Sequence, residues 1–317
     1  MMLVSVVIPT RNAGISFEKL LEKVKIQEID GDMEIVIVDS GSTDQTLEVC
    51  EKFGIRPVEI KPGDFNHGGT RNIGIDMSKG KYVVLLVQDA IPVDDNWLNS
   101  MIEDLENDEL IAGVYSKQIP RDDCNIFTRN ALENWVTFSN ERAEQFIRSS
   151  EQYRKMTPSE KQLAVTFDNV SSCIRKNIWQ QIRFNEISFG EDIDWSKRVI
   201  EAGYKIVYEP KSAVVHSHNR TIGYEVRRTY VCHKTLKSMF GMQLVPTFGH
   251  VIGNFIIDVK RRTELVRKSS DGLESVGRWY AKAVFLSIGM QLAMYLGAKQ
   301  LEGGKLAKLD KFLSRGV

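Results

Sequence analysis

The stretch Val4-Ser-Val-Val-Ile-Pro-Thr-Arg-Asn12, followed by Glu34-Ile-Val-Ile-Val-Asp-Ser-Gly-Ser-Thr-Asp44, decides how this chain is read. Each run is short, rich in β-branched residues, closed by turn formers and followed by a helical pattern, as in parallel strands buried on both faces. Both deliver polar residues at their carboxyl ends, where open α/β sheets bind nucleotides. The pattern predicts strands near 4–9, 34–39, 57–60, 82–87 and 111–117. Helices are expected near 16–28, 43–53, 70–78 and 94–106, so the first third is βαβ. Ser42 with Gln45 three residues on reads as a capping box opening the second helix. Later strands are expected near 163–167, 205–208 and 212–216, around a helix at 191–202. Residues 121–161 read as a polar helical insertion interrupted by Pro158.

The balance of 42 basic and 42 acidic residues, with 42% hydrophobic content, fits an ordinary folded enzyme and gives no basic footprint for nucleic acid. The four cysteines, Cys50, Cys124, Cys173 and Cys232, are too far apart for a zinc or disulfide framework, which points to a reducing cytoplasm. The first strand starts almost at once, so no secretory leader is expected.

Four constellations carry chemistry. Asp39 ends the second strand, where a carboxylate meets a ribose hydroxyl or a base N–H, or simply starts the turn that follows. Pro9-Thr10-Arg11-Asn12 stands where a dehydrogenase has its Gly-x-Gly-x-x-Gly, which counts against that class. Phe65-Asn-His-Gly-Gly-Thr-Arg-Asn-Ile-Gly74 opens a helix whose backbone N–H groups and Arg71 suit a diphosphate. Tyr82-Val-Val-Leu-Leu-Val-Gln-Asp89 ends a strand on a carboxylate suited to a hard divalent cation, and His216 and His218 are the candidate partners. In Phe189-Gly-Glu-Asp-Ile-Asp-Trp-Ser-Lys-Arg198, Glu191 and Asp192 lie in a helix first turn, where the helix dipole stabilises carboxylates.

In order and spacing, these segments resemble the inverting glycosyltransferases of family 2, which have the GT-A fold, over roughly residues 3–225. The likeness is closest to bacterial rhamnosyltransferases, through Asn-His-Gly-Gly-Thr-Arg-Asn and Gln-Asp-Ala. The resemblance implies a Rossmann-like, mostly parallel sheet with a helical carboxyl-terminal extension. It implies a nucleotide pocket of Pro9, Thr10, Arg11, Asn12, Asp39, Ser40, Arg71 and Gln88, with His67 near the donor sugar. Asp192 would be the base with Glu191 beside it, and Trp195 and Arg198 would border the acceptor. Asp89 with His216 or His218 would hold Mg2+ or Mn2+. The usual Asp-x-Asp is here Val87-Gln88-Asp89, one carboxylate short. The implied donor is dTDP-L-rhamnose and the implied acceptor a cell-surface polysaccharide or lipid-linked glycan. A UDP-sugar donor and a non-catalytic nucleotide-sugar-binding module are the alternatives. A nucleotidyltransferase would show a glycine- and basic-rich loop after the first strand, which is absent.

Residues 226–317 read as a helical region. The largely apolar stretch from Ala283 to Ala298 contains Gln291 and falls short of the roughly 20 apolar residues a spanning helix needs. It suits an interfacial helix, with Arg278, Trp279, Tyr280 and Lys282 at the headgroups, an oligomer contact, or packing against other helices. A peripheral position on the cytoplasmic face of a membrane follows from the first of these.

Overall fold

The computed structural model describes residues 2–269, 275–299 and 306–316. Its strands are β1 (Met2–Thr10), β2 (Asp32–Asp39), β3 (Val58–Glu59), β4 (Tyr82–Leu86), β5 (Ile91–Pro92), β6 (Ile111–Ile119), β7 (Ala143–Gln145), β8 (Ser171–Arg175) and β9 (Lys205–Val215). The helices of the first part are α1 (Ser16–Lys25), α2 (Thr46–Lys52), α3 (His67–Met77) and α4 (Trp97–Asn107). They are followed by α5 (Ile126–Glu133), α6 (Ser150–Lys155), α7 (Pro158–Ala164), α8 (Lys176–Gln181) and α9 (Glu191–Glu201). The last four are α10 (Ile222–Phe240), α11 (Phe248–Lys268), α12 (Val276–Gly297) and α13 (Leu306–Leu313).

The sheet order is β3-β2-β1-β4-β8-β6-β9-β5, with β7 against β9. β1 is parallel to β2 and β4, β2 to β3, and β6 to β9. β8 is antiparallel to both β4 and β6. That inversion restores the common direction on its far side. The carboxyl ends of β1, β2, β4, β6 and β9 therefore meet at one sheet edge, joined there by the amino end of β8.

Both faces of the sheet are covered, which explains its continuous apolar strands. On one face Val4, Val6 and Ile8 pack with Phe17, Leu20 and Leu21 of α1 and Trp97, Leu98 and Met101 of α4. Each fully buried aliphatic side chain there stabilises the fold by about 1.5–3 kcal/mol. On the other face α3 lies so close that a Cβ on Gly74 would come within 2.3 Å of Val7.

Three local expectations are corrected. No strand occupies 163–167, where α7 runs to Ala164, and the strand comes later as β8. Ser171, Ser172 and Cys173 hid it, since they carry little apolar signal yet are buried. Their hydroxyls are satisfied inside: Ser171 accepts from Trp97 Nε1 at 2.9 Å and Ser172 donates to Asn169 Oδ1 at 3.0 Å. The segments 205–208 and 212–216 form one strand, β9, which is irregular against β6 between Ser116 and Lys117. The Ser42 capping box is not formed, because α2 starts at Thr46, whose N–H and hydroxyl both donate to Asp44 Oδ1.

The chain divides into two compact units. The first comprises residues 1–122, 132–156 and 163–217 and contains the whole sheet. The second comprises 123–131, 157–162 and 218–317. Its own core gathers Phe127, Val266, Ala283 and Leu286, with Trp279 edge-on to Phe127 at 5.6 Å. No helix of the described residues is long and apolar enough to cross a membrane.

Candidate active site

The carboxyl ends of β1 and β2 build a pinned loop. Asp39, 1% exposed, accepts through Oδ1 from the N–H groups of Gly41 and Ser42 and through Oδ2 from the hydroxyls of Thr10 and Ser42. Ser40 is buried and donates to the Thr10 carbonyl. Gln88 grips Arg11 on both sides, accepting from its N–H at 2.8 Å and donating to its carbonyl at 3.2 Å. Asn12 adopts a φ of 48°, unusual for a residue with a side chain, and is held by Ser42 and Thr43. The side chains of Arg11 and Asn12 stay exposed on this fixed backbone. Asp39 thus shapes the loop, and direct contact between its carboxylate and a base requires Ser42 to give up its bond.

The start of α3 differs from the phosphate cradle its glycines suggested. Asn66 caps the helix and takes the N–H groups of Gly68 and Gly69, each at 3.0 Å. Gly68 is needed for close approach, since a Cβ there would lie 2.2 Å from the Asn185 carbonyl oxygen. Arg71 is also turned inward. Its Nη1 donates to Glu191 Oε1 at 2.6 Å, and both side chains are at most 7% exposed. Asn169 Nδ2 adds a longer contact to the same Glu191 oxygen at 3.5 Å. Arg71 therefore fixes Glu191 in place. The exposed His67 ring lies where it feels the charges of both.

Gly190, at a φ of 79°, turns the chain into α9 and so sets Glu191 and Asp192 in its first turn. Asp192 Oδ1 accepts from the N–H of Ile193 at 2.8 Å, which favours its charged form. Crowding by protein atoms, then the negative charges of Glu191 and Asp168, outweigh this and hold the carboxyl well above the usual carboxylate range. A carboxylate with raised proton affinity is suited to take a proton at neutral pH.

Trp195 faces the core, whereas the Arg198 side chain is 28% exposed and held by partners of its own. Trp195 is fully buried, stacks near Phe167 and Phe184, and donates to the Ile182 carbonyl at 2.7 Å, so it is part of the core beneath α9. The helical period puts it one turn below Asp192 on the inner face. Arg198 is tied to Asp194 of its own helix and to the Arg183 carbonyl.

At the ends of β4 and β9, Asp89, His216 and His218 each offer one ligand atom, all within 4.8 Å of one another. His216 Nε2 lies 3.7 Å from Asp89 Oδ1. One carboxylate and two imidazoles form a donor set that could hold a divalent cation. His218 follows His216 by two residues. Both expected histidines are therefore in the group.

Three residues of this edge went unrecognised in the sequence. Gln118 is the penultimate residue of β6, and Asp168 and Asn169 precede β8. Gln118 Nε2 donates to Asp168 Oδ2 at 2.6 Å, and Gln118 Oε1 lies 3.2 Å from His216 Nδ1. Asp168 and Asn169 lie just beyond the expected strand at 163–167, which is not formed. The signal that would have found them is the polar, buried strand after them.

The glycosyl transferase family 2 model matches residues 5–179. The chain is 30% identical over 233 residues to the O-antigen chain rhamnosyltransferase RfbN of Salmonella typhimurium, covering 72% of this chain and 71% of that one. Among solved structures, it matches S. aureus TarS 1–349 in complex with UDP-GlcNAc at a TM-score of 0.54 and 15% identity, over 92% of this chain and 90% of that one. It also matches the glucosyl-3-phosphoglycerate synthase of Mycobacterium tuberculosis in complex with Mn2+, UDP-glucose and phosphoglyceric acid, at a TM-score of 0.53 and 19% identity, over 78% of this chain and 82% of that one. These likenesses give the GT-A architecture.

Proposed function

The chain belongs to glycosyl transferase family 2, and from that premise we propose that it moves L-rhamnose, with inversion, from dTDP-L-rhamnose to a hydroxyl of a lipid-linked or polysaccharide glycan. The observation that carries the chemistry is Asp192, a carboxylate whose proton affinity is raised by burial and by Glu191 and Asp168. Asp192 removes the proton from the acceptor hydroxyl as that oxygen attacks the anomeric carbon. The nucleoside diphosphate departs from the opposite face, so the configuration inverts. A base so placed contributes about a hundred-fold to ten-thousand-fold in rate. Arg71 acts through Glu191, holding in place the carboxylate whose charge raises the proton affinity of Asp192, while its own positive charge lowers that affinity. Arg11 and Asn12, presented by Asp39 and Gln88, line the nucleotide side, and His67 faces the donor sugar.

Asp89, His216 and His218 would hold a divalent cation, which when bound supplies Lewis-acid stabilisation of the departing diphosphate. The sugar is proposed from the likeness to an O-antigen chain rhamnosyltransferase, supported by 30% identity. The second unit supplies a further part of the reading. Phe285 of α12 is exposed, as are Phe248, Ile252, Ile256 and Ile257 of α11, which are followed on the same helix by the exposed Lys260 and Arg261. Apolar side chains flanked by cations suit an anionic membrane surface, where a lipid-linked acceptor resides. The test of the transfer reading is Asp192→Asn, which should bind dTDP as wild type does and transfer no rhamnose. Near-normal turnover would remove Asp192 from its role.

A further inference from the structure

We infer that Gln118 is a positioning residue that joins the cation site to the acidic cluster around the base, an inference that rests on the reading above. The residue is 5% exposed and lies at the carboxyl end of β6, between two groups that only one orientation of its amide satisfies together. On one side is Asp168 Oδ2, 2.6 Å from Gln118 Nε2. A carboxylate accepts, so it demands the amide N–H. On the other side, Gln118 Oε1 is then left facing His216 Nδ1 at 3.2 Å, and a carbonyl oxygen accepts only from an N–H. The proton of a neutral His216 ring is thereby assigned to Nδ1, and the lone pair to Nε2. Nε2 is the nitrogen that points at Asp89, 3.7 Å away.

The opposite amide orientation would set two acceptors face to face at Asp168 and put the ring proton on Nε2, where it would block a cation. Asp168 therefore selects the ligating tautomer of His216 through Gln118. Asp168 is further anchored by the Val170 N–H on its other oxygen, at 2.8 Å, and its charge is among those that raise the proton affinity of Asp192. Partners of this kind, which hold the non-ligating nitrogen of a histidine, typically change metal affinity by about 10–100-fold when removed.

The test is Mn2+ titration of the full chain as wild type, Gln118→Met, Gln118→Glu and Asp89→Ala, with folding checked by circular dichroism. Gln118→Met keeps the volume but accepts nothing from His216, and Mn2+ binding should weaken about 10–100-fold. Gln118→Glu still accepts from Nδ1–H, so its Mn2+ affinity should not show the roughly 10-fold or greater loss of Gln118→Met, while the new charge against Asp168 abolishes transfer. A merely space-filling glutamine would give the reverse order of the two variants. Unchanged Mn2+ affinity in Gln118→Met, with binding lost in Asp89→Ala, overturns the role of Gln118 alone. Wild-type affinity in Asp89→Ala overturns the cation site itself. If Gln118→Met does not fold, nitrogen-15 spectra of the metal-free wild type decide: a His216 proton on Nδ1 supports the inference and one on Nε2 overturns it.

Discussion

Replacing Arg71 by Met should be among the most destabilising single changes in the first unit. Arg71 and Glu191 meet at 2.6 Å with side chains 6% and 7% exposed, so neither charge is relieved by water. Removing one partner of such a pair costs about 3–5 kcal/mol, because the other charge stays buried without compensation. At about 2–4 °C per kcal/mol for a unit of this size, the thermal midpoint should fall by roughly 6–20 °C. The remaining contact to Glu191 Oε1, Asn169 at 3.5 Å, is too long to substitute. Replacing both members, Arg71→Met with Glu191→Leu, should recover most of the loss, since apolar pairs of similar volume are often neutral or better. The assay is a double-mutant cycle by chemical unfolding. A loss under about 1 kcal/mol for Arg71→Met, or additive effects in the double variant, would refute the buried-pair argument.

Asp192→Asn should stabilise the protein at neutral pH. The carboxyl binds its proton more tightly folded than unfolded, so ionising it costs stability as pH rises through the raised value. The gain from Asn should be present at pH 8 and vanish below about pH 4, where Asp192 is protonated in both states; a gain that grows towards acid would contradict the assignment. Gly68→Ala forces a Cβ to 2.2 Å from the Asn185 carbonyl and should cost about 1–3 kcal/mol in an unfolding titration. Trp195→Phe should lose about 1 kcal/mol with its bond to Ile182 and leave the acceptor KM unchanged, whereas a raised KM with unaltered stability would return Trp195 to the acceptor side. Ile256→Asp with Ile257→Asp should release the protein from anionic vesicles in a sedimentation assay, and unchanged pelleting would remove the membrane surface from the reading.

The strand runs at 4–9, 34–39 and 82–87 were legible because each is a short, apolar, β-branched run closed by turn formers, the pattern of strands inside a parallel sheet. β8 was not, since a strand of Ser-Ser-Cys is stabilised by buried hydroxyl partners, of which those on β6 and α4 lie far away in sequence. Losing β8 also hid Asp168 and Asn169, which its antiparallel direction brings to the functional edge. The positions of Asp89, His216 and Asp192 at element ends could be read from the sequence. The inward turn of Arg71 could not, because a helix N-terminal arginine looks alike whether it faces a phosphate or a buried glutamate 120 residues later. Trp195 shows the same limit in reverse, since proximity in sequence to a base does not say which helix face is wet.

The most direct test of the account is calorimetric binding of dTDP, dTDP-L-rhamnose and the corresponding uridine and guanosine compounds, with and without Mn2+, to wild type and Asp89→Ala. The account predicts selective, Mn2+-dependent binding of the thymidine compounds that Asp89→Ala loses. Mn2+-independent binding that survives in Asp89→Ala, or no preference for thymidine compounds, would contradict it.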